Sequence, residues 1–233
     1  MIPKIIHYCW FGNNPLPTTA INCINSWKRK LPDYEIMLWN ESNFDVNQIP
    51  YIQEAYKAKK YAFVSDYARF YVLYHHGGIY LDVDVEVVKS LDSFLQHEMF
   101  AGFERNDGVN AGLILGADKG TLLFKEVLKE YSFKKFTYSS KSGGMENVVT
   151  IFSKILITIG LIPNGQQQTL HGITIYPEEY FSPINFFTGE RKFTKNTHTI
   201  HYFVGSWHPW YKRIRIKLLK NRFIRFLYNF IKK

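Results

Sequence analysis

The sequence predicts an α/β fold built around one central sheet. In the first ninety residues, short apolar segments rich in β-forming residues alternate with segments of helical periodicity, which is typical of an α/β sheet. Several of the apolar segments end at turn-forming residues such as Gly12 and Asn40. The 46% hydrophobic and 17% aromatic content indicates a folded, well-packed protein, and 233 residues suffice for one sizeable domain with an appendage.

The elements of the first part of the chain follow one another without a long linker. The predicted strands are 4–11, 34–39 and 79–81, and the predicted helices are 17–30, 51–59 and 62–76. Gly77 and Gly78 are expected to end the last of these helices, because glycine takes positive φ at little cost.

Later elements are more widely spaced. Strands are predicted at 85–88, 99–104, 109–115, 172–176 and 198–203, and helices at 91–95, 120–131 and 145–159. Ligands of α/β sheets bind beyond the carboxyl ends of the strands. Trp10, Asn40 and Asp82 all fall at such ends, so we expect a binding crevice there.

Two carboxylates, Asp82 and Asp84, follow the apolar segment 79–81 and are separated by one residue. On a straight strand both would point to the same face. If the strand stops, a loop could instead gather them around one cation. Carboxylate oxygens are ligands of Mg²⁺ and Mn²⁺, and a cation there could neutralise a departing diphosphate. Alternating Asp residues also occur on solvated strand edges, but the apolar strand and the glycine turn favour a site.

Three segments together resemble the Asp-x-Asp sugar transferases, most nearly glycosyltransferase family 32: residues 6–12 (IHYCWFG), 65–69 (SDYAR) and 77–84 (GGIYLDVD). That family includes capsule and lipopolysaccharide enzymes, initiating yeast mannosyltransferases and relatives of clostridial glucosylating toxins. The resemblance spans roughly residues 1–210. It implies a GT-A fold, with a single Rossmann-like mixed sheet flanked by helices. It also implies a nucleotide-sugar donor, a divalent metal (Mn²⁺ or Mg²⁺) and, usually, retention of the anomeric configuration.

The resemblance also implies roles for individual side chains near the reacting groups. Asp82 and Asp84 would hold the metal, and His201, in a segment similar to a His-x-x-Gly closing motif, would complete its shell. Asp66 and Arg69, three apart on one helix face, resemble the pair that holds the donor sugar and diphosphate. Asn110 resembles an Asn that faces the donor sugar. The alternatives are a structural ion pair for Asp66 and Arg69 and a hydrogen-bonded strand histidine for His201.

Five further residues are similar to donor contacts of the family. Trp10 would stack on the donor base, since an indole offers a broad face to a flat ring. Asn40 and Tyr80 would contact the donor, and Ser206 and Trp207 would clamp the leaving diphosphate. Trp10 could equally be a core aromatic, Asn40 a turn residue and Tyr80 a packing residue. The spacing around residue 206 departs from the toxin pattern.

Charge divides the chain into a predicted catalytic domain, residues 1–211, and a basic tail, residues 212–233. The tail holds nine Lys or Arg and no acid, which leaves twenty basic and twenty acidic residues in the domain. A neutral domain disfavours a nucleic-acid groove. The tail also carries ten large aliphatic or Phe residues. We expect a basic amphipathic helix that lies on an anionic membrane surface, or else packs on the domain.

The sequence therefore predicts a metal-dependent hexosyltransferase, acting on a glycan or lipid-linked acceptor in surface polysaccharide synthesis. With no run of eighteen apolar residues and no leader-like N-terminus, we expect it to be cytoplasmic and peripheral on the inner membrane face. Two alternatives stay open. One is a nucleotide-sugar hydrolase using the same metal site, and the other is a non-enzymatic membrane- or nucleic-acid-binding module.

Overall fold

The structure, a computed structural model, describes residues 1–105, 108–137, 147–186 and 188–205. The strands are β1 (Ile5–Cys9), β2 (Glu35–Trp39), β3 (Gly78–Tyr80), β4 (Val85–Val87), β5 (Met99–Arg105), β6 (Gly108–Val109), β7 (Leu115–Ala117), β8 (Gln168–Leu170), β9 (Ile173–Tyr176) and β10 (Thr199–His201). The helices are α1 (Thr18–Lys30), α2 (Pro50–Lys57), α3 (Tyr61–His76), α4 (Leu122–Phe133), α5 (Val148–Thr158) and α6 (Glu178–Phe181), with a 3₁₀ turn at Asp92–Phe94.

The main sheet is mixed, with the strand order β2-β1-β3-β7-β5-β9-β8 and β6 paired to β5. The pairs β1–β2, β1–β3 and β5–β9 are parallel, and β7 runs antiparallel to both β3 and β5. Five strands, β1, β2, β3, β5 and β9, therefore end at the same edge. A separate two-stranded antiparallel sheet joins β4 to β10.

Alternate residues of each strand point to opposite faces of the sheet, and the buried apolar side chains accordingly form two clusters. On β1, Cys9 belongs to the cluster that contains α2 to α5, whereas Ile6 and Tyr8 belong to the cluster that contains α1 and α6. A sheet with helices on both faces is the three-layer arrangement of α/β proteins.

His7 ties three segments of the main sheet together at the centre. Its Nε2 lies 2.8 Å from the carbonyl oxygen of Gly77, and its Nδ1 accepts a 3.0 Å hydrogen bond from the indole of Trp39. The imidazole is fully buried. Because one nitrogen donates and the other accepts, the ring is held as a neutral tautomer, and burial lowers its pKa to about 4.

The predicted mixed α/β sheet flanked by helices is confirmed, and Gly77 and Gly78 end α3 with φ of +68° and +104°. One predicted strand, 109–115, is wrong: residues 110–114 form a turn between β6 and β7. Both β6 and β7 run antiparallel to β5, so the turn interrupts the predicted strand without reversing the chain, and β7 lies between the parallel strands β3 and β5. Strand β8 and helix α6 were not predicted. The tail, 212–233, and the proposed boundary at residue 211 lie outside the described residues.

No helix among the described residues is both long enough and apolar enough to cross a membrane.

Candidate active site

The candidate site lies at the edge where the parallel strands end. The turn that carries Asp82 and Asp84 leaves β3, and the segment 110–114 enters β7 beside it, with the backbone N–H of Asp82 donating to the carbonyl of Gly112 at 2.8 Å. Strand β3 stops at Tyr80, so the two carboxylates are gathered by a turn rather than by one strand face. The sequence left open whether the two Asp residues share a strand face or are gathered by a loop, and the structure shows the loop.

Asp82, Asp84 and His201 form a cluster whose ligand atoms all lie within 4.8 Å of one another. His201 Nε2 is 3.1 Å from Asp84 Oδ1, and the backbone N–H of Val204 donates to Asp84 Oδ2 at 2.8 Å. The His201 side chain is 8% exposed, whereas that of Asp82 is 30% exposed. Asp82 therefore faces the opening, with Asp84 and His201 behind it.

The small sheet explains how a residue so late in the chain reaches this cluster. In the β4–β10 pairing, His201 is the partner of Val85, the residue that follows Asp84. The backbone of Tyr202 also donates to the Asp84 carbonyl at 3.0 Å. The register of two strands thus places His201 beside the Asp-x-Asp turn.

In each of the three side chains, burial and an oppositely charged neighbour shift the pKa in opposite directions. Burial acts to raise the pKa of the Asp84 carboxyl, but the adjacent His201 and the hydrogen bonds outweigh it, and the pKa is lowered. Burial acts to lower the pKa of His201, but Asp84 outweighs it and the pKa is raised. Burial, together with Asp84, raises the pKa of Asp82 against the opposing effect of Arg69. Asp82 and Asp84 repel each other, and a cation between them would relieve that repulsion.

Arg69 on α3 is the second component of the site. Its NH2 atom lies 2.8 Å from Asp66 Oδ1 and 3.5 Å from Asp82 Oδ1, and its Nε donates to the Ser65 carbonyl at 3.1 Å. The guanidinium carbon lies 4.8 Å from the centre of the Tyr80 ring. The predicted shared helix face of Asp66 and Arg69 is confirmed, and the guanidinium is held in one orientation next to the acidic turn.

One nitrogen of this guanidinium has no internal role in the part of the chain described here. Arg69 NH1 is buried and lacks a hydrogen-bond partner there, although the side chain is only 4% exposed. A buried cationic N–H without an acceptor is costly, so NH1 is suited to an anionic oxygen supplied by a ligand. The pKa of Asp66, raised to about 6 by burial and lowered in part by Arg69, keeps that carboxyl mainly ionised at neutral pH.

Gly112 leaves the space that this arrangement needs. A Cβ atom at this position would lie 2.2 Å from Asp82 Oδ2 and 2.8 Å from Arg69 NH1. Any side chain would therefore displace the two groups that face each other at the site. Gly112 was quoted in the sequence only as part of the Asn-Ala-Gly segment, and its steric role could not be inferred there.

Asn110 lies beside this glycine and is 8% exposed. Its Oδ1 accepts from the Gly112 backbone at 2.7 Å, and its Nδ2 donates to Glu104 Oε2 at 2.8 Å. One N–H of the amide is left for a ligand, so its role toward the donor sugar stays a prediction. Glu104, at the end of β5, was not identified from the sequence.

The predicted donor contacts of the first strands lie at the same edge. Trp10 is half-buried in the loop after β1, and its indole donates to the Asn14 carbonyl at 2.6 Å. Asn40 Oδ1 accepts from the backbone and the hydroxyl of Ser42, so its side chain caps a turn. Tyr80 is 1% exposed, and its hydroxyl donates to Asp82 Oδ1 at 3.0 Å, so it supports the acidic turn directly. Their contacts with a donor stay predictions.

The last two predicted contacts, Ser206 and Trp207, lie outside the described residues.

The residues present fit a divalent cation. Two carboxylates and an imidazole form a donor set acceptable to Mn²⁺ and, through the oxygens, to Mg²⁺. The contacts from Tyr80 and Arg69 to Asp82 go to Oδ1, and the buried His201 Nδ1 has no hydrogen-bond partner among the described residues. The site therefore retains ligand atoms that the protein itself does not use.

Comparisons with known proteins match the chain to glycosyltransferases. Residues 17–101 match the family model described as the glycosyltransferase sugar-binding region containing DXD motif. The chain is 30% identical over 141 residues to inositol phosphoceramide mannosyltransferase 3 of Schizosaccharomyces pombe, covering 59% of this chain and 39% of that protein. It is 25% identical to an uncharacterized glycosyltransferase, L373, of Acanthamoeba polyphaga mimivirus, covering 97% of this chain and 92% of that protein.

Among solved structures, the PaToxG glycosyltransferase superposes with a TM-score of 0.52 at 20% identity, covering 67% of this chain and 69% of that one. This likeness concerns the fold. The chain spans 39%, 33% and 30% of the lengths of the three Schizosaccharomyces pombe mannosyltransferases that it matches.

The mixed sheet flanked by helices matches the GT-A fold of glycosyltransferase structures. Residues 17–101 are similar to the glycosyltransferase sugar-binding region containing DXD motif, in agreement with the resemblance to family 32 in the sequence.

Proposed function

We propose that the protein is a divalent-cation-dependent glycosyltransferase, which moves a hexose from a nucleotide-sugar donor to a hydroxyl group of a glycan or lipid-linked acceptor. The observation that carries the proposal is the meeting of Asp82, Asp84 and His201 within 4.8 Å, with the free NH1 of Arg69 beside them. Two neighbouring carboxylates, of which Asp82 is the more exposed, lie next to a fixed guanidinium. This arrangement suits a ligand with both a metal-binding and an anionic part, and a sugar diphosphate has both.

The protein groups divide the work of donor binding. Asp82, Asp84 and His201 would hold a Mn²⁺ or Mg²⁺ ion, which supplies positive charge to a leaving diphosphate. Arg69 NH1 would donate to a diphosphate or sugar oxygen, with the guanidinium aimed by Asp66, Ser65 and Tyr80. Asp66 lies deeper and fixes Arg69. Since these groups are oriented before the donor arrives, little reorganisation accompanies its binding.

For the transfer step we propose retention of configuration, as the resemblance implies. The bond between the anomeric carbon and the phosphate oxygen breaks, and the acceptor hydroxyl forms a new bond to the same face of that carbon. The hydroxyl proton passes to the departing phosphate oxygen, so that a nucleoside diphosphate and the glycosylated acceptor are the products. The protein then supplies orientation and charge stabilisation, and no protein carboxylate is consumed as a nucleophile.

For the substrates we propose mannose as the first candidate hexose, because two relatives that are 30% and 33% identical to the chain are named mannosyltransferases. The acceptor would belong to a surface polysaccharide such as capsule or lipopolysaccharide. The basic, apolar composition of residues 212–233 supports a cytoplasmic enzyme, held at the inner face of an anionic membrane, where a lipid-linked acceptor would be presented.

The test is release of nucleoside diphosphate from a panel of nucleotide sugars, including activated mannose, with Mn²⁺ and with or without candidate acceptors. A transferase releases the diphosphate faster when its acceptor is added, and the sugar appears on that acceptor. Equal release with water alone would identify the hydrolase instead. If Asp82→Asn binds and turns over every donor as well as the unaltered protein, the proposed site is refuted.

A further inference from the structure

Glu41 lies at the edge of the sheet where the parallel strands end, and the proposed mechanism gives it no role. It follows β2 by two residues, and its side chain reaches the loop that leaves β1. Its Oε1 accepts hydrogen bonds from the backbone N–H of Gly12 at 2.6 Å and from the hydroxyl of Tyr56 at 2.8 Å. One carboxylate therefore joins the end of β2, the loop after β1 and helix α2.

The loop held in this way is residues 10–14, which carries Trp10. Its first residue is fixed by a 3.0 Å hydrogen bond from the Trp10 backbone to the Trp39 carbonyl, and the indole is fixed by Asn14. Gly12 has φ of +95°, and a Cβ there would lie 2.2 Å from the ring of Tyr61. Gly12 thus lies between Tyr61 of α3 and the Glu41 carboxylate, to which its backbone N–H donates.

The hydrogen bonds that the Glu41 carboxylate accepts are charge-assisted. Burial acts to raise the pKa of the carboxyl, but the hydrogen bonds from Gly12 and Tyr56 contribute to a net lowering. An ionised acceptor makes a shorter and stronger bond to a backbone N–H than a neutral one does. The second oxygen, Oε2, is buried with no hydrogen-bond partner in the described part of the chain, which is a cost to stability. A carboxylate placed only to stabilise the fold would be expected to use both oxygens.

We propose that Glu41 is a positioning residue for donor binding: it fixes the loop of residues 10–14, so that the half-buried Trp10 ring is presented to the flat base of a nucleotide. This inference rests on the proposed function. Without Glu41 the loop would have more conformations, and a ligand that stacks on Trp10 would have to select one of them, which weakens its apparent affinity. Helix α2 would contribute to nucleotide binding indirectly, because its Tyr56 hydroxyl donates to Glu41.

The experiment is a double-mutant cycle on the full chain, with nucleoside diphosphate and Mn²⁺ as the ligand and calorimetry as the readout. Trp10→Ala is expected to weaken binding roughly tenfold, within the range found when an aromatic that stacks on a base is removed. Glu41→Ala should have a similar effect. The double variant should bind no more weakly than Trp10→Ala alone, because Glu41 acts through that ring.

Two variants separate positioning from loss of fold. Glu41→Gln keeps a carbonyl oxygen for Gly12 and Tyr56 and should recover most of the affinity. Glu35→Ala removes an exposed carboxylate from the opposite end of β2, and should bind like the unaltered protein. In turnover assays, Glu41→Ala should raise KM for the donor and leave kcat at saturation unchanged, a split that general destabilisation does not produce.

Additive effects of Glu41→Ala and Trp10→Ala would overturn the inference, as would unchanged affinity in either single variant. If Glu41→Ala does not fold, the same cycle is run with Tyr56→Phe, which removes one of the two bonds to Oε1, and additivity again refutes positioning. Loss of binding in Asp82→Asn with no effect of Trp10→Ala would refute this inference while leaving the proposed function standing.

Discussion

Asp84 Oδ1 and His201 Nε2 lie 3.1 Å apart, although 117 positions separate the two residues in the chain. The contact adds an imidazole to the two carboxylates of the acidic turn. It depends on the pairing of β4 with β10, so the cluster is a property of the whole domain rather than of the Asp-x-Asp segment.

Removal of either acidic ligand should abolish transfer and keep the fold. We expect Asp82→Asn and Asp84→Asn to lose at least about a hundredfold in kcat/KM, because each takes a negative ligand from the cation. Asn retains an oxygen that can still accept from Val204 or Tyr80, so the melting temperature should change little. Asp33→Asn, an exposed turn residue, is the matched control. Full activity of both variants in the presence of a chelator would contradict the metal role.

Addition of one methyl group should disturb the site as strongly as removal of a ligand. In Gly112→Ala, the new Cβ would meet Asp82 Oδ2 at 2.2 Å, and the carboxylate must move. We expect Mn²⁺ affinity, measured by titration calorimetry, to fall about tenfold or more, with the circular dichroism spectrum unchanged. Unaltered Mn²⁺ affinity would show that Asp82 Oδ2 is not a ligand atom.

Replacement of Arg69 by Lys keeps the charge but loses the planar fork. Lys cannot contact Asp66, Asp82 and the Ser65 carbonyl while also presenting a free N–H. We expect KM for the donor to rise about tenfold to a hundredfold. Because Arg69 is 3% exposed, a loss of about 1–3 kcal/mol in the free energy of unfolding should accompany it. A variant that is destabilised but retains normal donor affinity would mark the pair as purely structural.

The buried His7 predicts how stability depends on pH. Its pKa is lowered from 6.5 to about 4 in the folded protein, so between these values the unfolded chain binds more protons and stability falls as pH falls. The loss over this window is on the order of 3 kcal/mol. His7→Gln should be less stable at pH 7, but should show a flatter dependence between pH 6.5 and 4 in urea denaturation. Parallel curves for the two proteins would exclude His7 as the titrating group.

The proposed membrane role of residues 212–233 predicts binding to anionic vesicles. Replacement of Lys217, Lys220, Arg222 and Arg225 by Gln in the full chain should weaken co-sedimentation by about 1 kcal/mol per charge, with turnover of a soluble acceptor unchanged. High salt should weaken binding only in part, because the apolar residues still contribute. Equal binding by both proteins, or none by either, would favour a tail that packs on the domain.

The sequence was sufficient to predict those features that depend on residues close to one another in the chain. The strand, glycine turn and paired Asp residues between 77 and 84, and the helix face shared by Asp66 and Arg69, depend on neighbours within a few positions. The turn at 110–114 was missed because its apolar residues favour a strand. Only the separate pairing of β6 and β7 with β5 shows that the strand is interrupted there. Gly112 and Glu41 were missed for a related reason. Their roles arise from contacts with Asp82 and Gly12, which are 30 and 29 positions away.

The two-stranded sheet of β4 and β10 links ion occupancy to the order of residues 199–204. A cation that binds only when His201 is beside Asp84 stabilises that pairing by mass action, by about 2.7 kcal/mol at a concentration one hundred times its dissociation constant. The amide protons of residues 199–204 should therefore exchange more slowly as Mn²⁺ is added, whereas those of β1 should not respond. The local cation concentration would then set how firmly β10 is anchored to the domain.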